Sequence, residues 1–165
     1  MFEDFTSYNI LKWTHILSAF LLFGTGLGSA FYKWMADRSG NIEAQTITAK
    51  HVVLADFLFT TPSAIYQPLS GYFLLQQLGI PLSEPWVVLS FVLYMVAGLC
   101  WLPVVWLQIL MRDLALEALN KGQMLSHEYN RLARIWFWLG WTAFISIILA
   151  VWLMVAKPDL TLFWS

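Results

Sequence analysis

Three histidines, one acid inside an apolar run and a comb of small polar side chains carry the chemistry of this 165-residue chain. His15 falls about five residues, roughly 8 Å at 1.5 Å per residue, inside the first long apolar run. An imidazole at that depth in lipid needs a partner. A hydrogen bond to another helix would supply one. So would an iron atom, because small helical membrane proteins hold haem through axial histidines. His15, Ala19, Leu22 and Gly26 share a helix face. The missing side chain of Gly26 leaves room there for a flat ring held at His15. Lys12, one turn earlier, could meet a haem propionate or a lipid phosphate.

His51 opens the next apolar run, which returns antiparallel, so it and His15 stand about 20 Å or more apart. Axial ligands face each other across one iron. The two histidines therefore cannot share a haem within one chain. Either two haems sit at different depths, or His15 pairs with another group or a second subunit, or one histidine is structural. Met154 and Tyr72 fall near the level of His15, and His127 falls in a polar connection. Arg112 and Arg134 suit haem propionates, anionic lipid heads or topology signals.

Asp56 lies about one and a half turns into the second run. Asp56, Thr60, Ser63, Gln67 and Ser70 are spaced 4, 3, 4 and 3, which makes one polar stripe. Lipid penalises such a stripe, so it should face the bundle interior or a wet cavity, as a proton path or counter-charge. An ion pair of Asp56 with Arg112 or Arg134 is the structural alternative. Pro62 and Pro68 interrupt the same helix and free backbone carbonyls. A weaker stripe in the third run holds Ser90, Tyr94, Trp101, Gln108 and Arg112, with Pro103 as a kink; the fourth run offers Arg131, Trp138 and Thr142. Gly24 and Gly28 form a GxxxG spacing that permits close helix contact. No nucleophile triad, zinc spacing or phosphate loop is present, and the single cysteine, Cys100, reads as packing.

The elements that must position these groups follow from composition. Hydrophobic residues make up 59%, charged residues 12%, and mean hydropathy is +0.66. That leaves too few polar side chains to cover a soluble globule and describes an integral membrane protein. A net charge of −1 excludes a polyanion-binding surface, hence no nucleic-acid partner. Residues 10–34, 52–78, 86–111 and 135–156 each meet the requirement of about 20 residues for a crossing helix. The first is not a cleaved signal peptide, being too long and flanked by Glu3 and Asp4. Polar turns fall at Asp37–Asn41 and Gly79–Pro85, and the leucines of residues 113–134 predict an extension of the third helix broken at Gly122. Lys33, Arg38, Lys50, Arg112, Lys121, Arg131 and Arg134 lie on one side, against Lys12 and Lys157 on the other. The positive-inside rule then places both termini outside. Tyr8, Trp13, Trp34, Trp86, Trp136 and Trp164 suit interfacial belts.

The run Ile10-Leu11-Lys12-Trp13-Thr14-His15, with Gly24 and Phe31-Tyr32 beyond it, resembles the first helix of membrane proteins related to the HemJ-type protoporphyrinogen oxidase. That resemblance implies b-type haem with His15 as ligand. Those enzymes also use a lysine in the third helix, and the third run here has none, which speaks against the oxidase activity and leaves haem binding open. The stretches Thr61-Pro62-Ser63-Ala64, Gln67-Pro68-Leu69-Ser70-Gly71, Gly98 to Gln108 and Leu153 to Pro158 resemble an uncharacterised bacterial family of four-helix integral membrane proteins.

The expectation is an all-α membrane protein, a single four-transmembrane-helix bundle, N-out and C-out, in a bacterial inner membrane. Its expected function is a redox or electron-transfer protein holding haem b, exchanging electrons with quinone or a redox protein, in contact with lipid and able to form a homodimer. The alternatives are a small carrier using the stripe around Asp56, or a non-catalytic membrane subunit.

Overall fold

A chain in lipid must pair every backbone group within itself, and this one does so with helices. The computed structural model describes residues 7–160, so Glu3, Asp4 and Trp164 lie outside it. Its α-helices are α1 (Ser7–Ser39), α2 (Ile42–Ala55), α3 (Thr61–Leu78), α4 (Pro85–Asn120) and α5 (His127–Ala156). A π-helical turn, Asp56–Thr60, joins α2 to α3 without a break. Three of these helices, α1, α4 and α5, are long and apolar enough to cross a membrane.

Local chemistry sets the ends. Gly40 takes φ +67°, a left-handed conformation that suits glycine, and Asn41 then caps α2 by accepting from the Glu43 and Ala44 N–H groups. The second helical segment thus begins ten residues before the predicted start at 52, and His51 stands well inside α2 rather than at its beginning. Gly79 ends α3 in the same left-handed conformation, and Ser126 caps α5 by accepting from Tyr129 N. The predicted extension of the third helix is real. α4 runs on to Asn120 and turns at Gly122, φ +63°.

The π turn has a covalent cause. Pro62 has no N–H to give the carbonyl of Leu58, and its ring would crowd that carbonyl in a regular helix. The ladder widens just before it, and Thr61 N–H reaches back five residues to the Asp56 carbonyl. Pro68 likewise leaves the Ala64 carbonyl without its helical donor. The Tyr94 hydroxyl of α4 donates to that carbonyl.

α1 packs on α2, the π turn and α3; α2 packs on α4; α4 and α5 share the most extensive interface. α1 and α5 barely touch. The tightest packing lies where α4 and α5 extend toward their connection. Val104, Leu107, Met111, Ala115, Tyr129 and Trp136 cluster there, and Thr46 of α2 donates to the Ala115 carbonyl at 3.1 Å. Elsewhere large apolar side chains such as Phe20, Leu99 and Trp106 face outward, as lipid contact requires. Two expectations for α5 change. Arg131, Trp138 and Thr142 are exposed, and the inward face is Tyr129, Trp136, Ser146, Ala150 and Leu153. Trp136 is therefore core, not interfacial belt.

The Tyr94–Ala64 bond is testable by a double-mutant cycle. Tyr94→Phe leaves a buried carbonyl unpaired and should cost about 1–3 kcal/mol in detergent unfolding. In a Pro68→Ala background, which restores the helical donor, the same change should cost distinctly less.

Candidate functional site

The π turn decides where the acid points. Wider turns bring residues four apart closer to eclipsing than an α-helix does. Asp56 and Thr60 are both buried and both line a cavity of about 490 Å³ between α1, the π turn, α4 and α5. Gln108 of α4 completes its polar floor. With the amide orientation that satisfies both neighbours, Gln108 Nε2 donates to Asp56 Oδ2 at 3.0 Å and Oε1 accepts from Trp136 Nε1 at 3.2 Å. The Thr60 hydroxyl and the Trp101 indole N–H face the Asp56 carboxyl. Both atoms are buried, and the carboxyl is the acceptor both are turned to. The carboxyl and these two neighbours lie at the edge of a chamber whose other walls are apolar, with Phe23, Tyr94, Trp141 and Phe144 among them.

The rest of the polar stripe serves another contact. Thr14 Oγ1 meets Tyr66 Oη at 2.7 Å, Gln67 Nε2 donates to Ser18 Oγ at 2.6 Å and to the His15 carbonyl at 2.8 Å, and His15 Nδ1 meets Ser70 Oγ at 2.7 Å. These rungs join α1 to α3. Ser63, on the same face, is buried. Ser70 has one hydroxyl proton, and the Tyr66 carbonyl at 2.7 Å can only accept it. Ser70 Oγ therefore accepts from His15 Nδ1–H, which leaves the lone pair on Nε2. Gly71 lets the ring lie against α3: a Cβ there would stand 3.5 Å from His15 Cε1.

The residues expected to hold haem are not gathered at one place. His15 faces α3, whereas Gly26 lines the central cavity. His51 is exposed and borders a second groove of about 460 Å³ on the outer side of α1, floored by Gly24 and Gly28. Lys12 is exposed and lies 5.6 Å from the Tyr8 ring centroid. Arg112 pairs with Asp113 at 2.8 Å, and Arg134 is exposed. Neither arginine pairs with Asp56, which has no ion-pair partner among the described residues. Met154 and Tyr72 are exposed. No group of three or more metal-ligating side chains occurs among the described residues.

Sequence reasoning missed Lys33, which it counted only as a topology charge. Its ammonium is 2% exposed. It donates to Asp37 Oδ2 at 2.7 Å and to Tyr129 Oη at 2.8 Å, while Tyr129 Oη donates to Asp37 Oδ1 at 2.7 Å. The same ammonium lies over the Tyr129 and Trp136 rings, 4.8 and 5.5 Å from their centroids. The Lys33–Asp37 spacing of four on one helix was the available signal.

One family model matches residues 9–158, nearly the whole chain. The chain belongs to that family, described as predicted integral membrane protein (DUF2269). The membrane character of the family agrees with the long apolar helices. No curated protein and no solved structure matches the chain.

The buried triad gives a stability prediction. Asp37→Asn removes the counter-charge of a buried ammonium and should cost about 2 kcal/mol or more in unfolding from mixed micelles. Glu117→Gln, which breaks the exposed Lys121–Glu117 pair, should leave stability near wild type.

Proposed function

We propose that the protein is a four-span redox component of the bacterial inner membrane that binds a planar, carbonyl-bearing lipophilic molecule of the quinone class in its central cavity. The observation that carries this reading is the buried Asp56 carboxyl, without an ion-pair partner among the described residues, in the lining of a cavity walled by aromatic rings. Asp56 can exchange a proton with an acceptor held in that cavity. A quinone carbonyl offers one, and the aromatic walls suit its ring. Reduction of a quinone takes up two protons as well as two electrons. Asp56 is placed to exchange a proton at the bound carbonyl, and the electrons come from a redox partner or a bound haem.

The fourth crossing in this reading is formed by the end of α2, the π turn and α3, whose helical course is unbroken. Pro62, Pro68 and the polar stripe lower its apolar character because it faces the bundle rather than lipid. With Lys33 buried in the folded bundle, six exposed or half-buried positive side chains still oppose Lys12 and Lys157. That bias supports termini on the outer side.

A second reading, haem b on His15, is favoured by the Nδ1–H bond to Ser70, the kind of outer-shell hydrogen bond that orients a ligating imidazole and frees Nε2 for metal. The residues present fit one axial ligand. His51 borders the groove beside Gly24 and Gly28, nine or more residues along α1 from His15, so the opposite ligand would come from outside this chain.

In lipid nanodiscs, decylubiquinone should quench tryptophan fluorescence saturably, and Asp56→Ala should weaken its binding about tenfold, the worth of one lost hydrogen bond. Asp56→Asn should shift binding in the same direction, whereas His15→Ala should not. Absence of saturable quenching would remove the quinone reading. For haem, the oxidised and dithionite-reduced visible spectra decide. A sharpened α band on reduction, lost in His15→Ala, is expected, and a protein that stays colourless after haem addition ends that reading.

A further inference from the structure

We infer that the outward face of α5 binds an anionic phospholipid, with its phosphate held by Arg131 and Arg134 and its ester region against Trp138. The partner is a lipid whose head carries a net negative charge.

Arg131, Arg134 and Trp138 are spaced 3 and 4, so they share one face of α5. All three are exposed, and none lines the central cavity. The same face continues through Ile145, Leu149 and Trp152, which are exposed as well. That uncovered apolar stretch faces lipid. The arginines beyond it therefore project on the bilayer side of the helix and not into the bundle.

Depth follows from helical rise. At the far end of α5, Lys157 lies 5.6 Å from the centroid of the Trp86 ring, and such residues mark a membrane interface. Trp138 stands nineteen residues before Lys157, about 28 Å along the helix. A hydrocarbon core is about 30 Å thick, so Trp138 falls at the opposite interface. Arg134 and Arg131 stand four and seven residues farther out, about 6 and 10 Å. The headgroup layer on each side is about 5–7 Å thick, which brings its phosphates within reach of both guanidinium groups.

These two cations are also unpaired. Lys33, Arg112 and Lys121 each hold a carboxylate, from Asp37, Asp113 and Glu117, and Arg38 lies over the Trp34 ring. Arg131 and Arg134 make no ion pair among the described residues, and Glu128, exposed three residues before Arg131, pairs with neither. A guanidinium presents a planar fork that matches phosphate oxygens. Every phospholipid has a phosphate, but a choline or ethanolamine head brings its own cation to it. A phosphatidylglycerol head does not, so two arginines one turn apart select it.

The test places the protein in phosphatidylcholine vesicles holding rising fractions of dibrominated phosphatidylglycerol or dibrominated phosphatidylcholine. Emission of the wild type minus that of Trp138→Phe isolates Trp138. The anionic lipid should quench it at about one tenth of the mole fraction that the zwitterionic lipid needs. Arg131→Gln with Arg134→Gln, read against the same pair carrying Trp138→Phe, should bring the two lipids within about twofold. Both positions are exposed, so the fold should persist. Lys33, Arg38, Lys50, Arg112 and Lys121 still oppose Lys12 and Lys157, so the orientation should persist too. Equal quenching of wild type by both lipids, or a preference that survives in the double variant, overturns the proposal. If neither lipid quenches Trp138, a second copy or another protein covers this face, and the proposal falls.

Discussion

A carbonyl in lipid has no water to turn to, and Pro62 and Pro68 each deprive one carbonyl of its helical donor. The chain answers the two deficits differently. Before Pro62 the ladder slips to a π turn, so that Thr61 N–H serves Asp56. At Pro68 the Tyr94 hydroxyl reaches across from α4 to Ala64. The first answer aims Asp56 and Thr60 together at the cavity. The second ties α3 to α4 beside that cavity. The acid, its neighbour Thr60 and the width of the chamber all depend on where two rings without an N–H stand in one helix.

The packing divides along the same logic. Hydrophobic attraction between helices acts only where water is the alternative. The fully buried Met111, Ala115, Tyr129 and Thr46 gather where α4 and α5 extend past the apolar runs toward their connection. Within the apolar zone, α1 and α3 are joined by hydrogen bonds between Thr14 and Tyr66, Ser18 and Gln67, and His15 and Ser70. α1 and α5 are left nearly apart there. The cavity can exist because nothing in lipid drives those two faces together.

Much of this was legible in the sequence. The 4-3-4-3 spacing from Asp56 to Ser70 marks an inward face, and all five residues are buried. Gly122 marks the end of α4. The inward face of α5 was not legible, because apolar side chains suit lipid and core equally and periodicity then carries no signal. Trp136 reads as an interfacial residue until its N–H is seen paired with Gln108. His15 and Gly26 do share a helix face, but the Ser70 bond turns the ring toward α3, a choice made by a residue 55 positions away. Lys33 read only as a topology charge because its partner Tyr129 lies 96 positions later.

That separation has a meaning for biogenesis. A nascent chain meets the insertion machinery from its N-terminus, and α1 is present long before α5 emerges. During that interval Lys33 has Asp37 beside it but no Tyr129 to bind, so its ammonium stands uncovered at the end of α1. Only when the last helix arrives does the ammonium withdraw beneath the Tyr129 and Trp136 rings. One side chain thus changes its surroundings completely, an uncovered charge in the unfinished chain and the latch of the finished one.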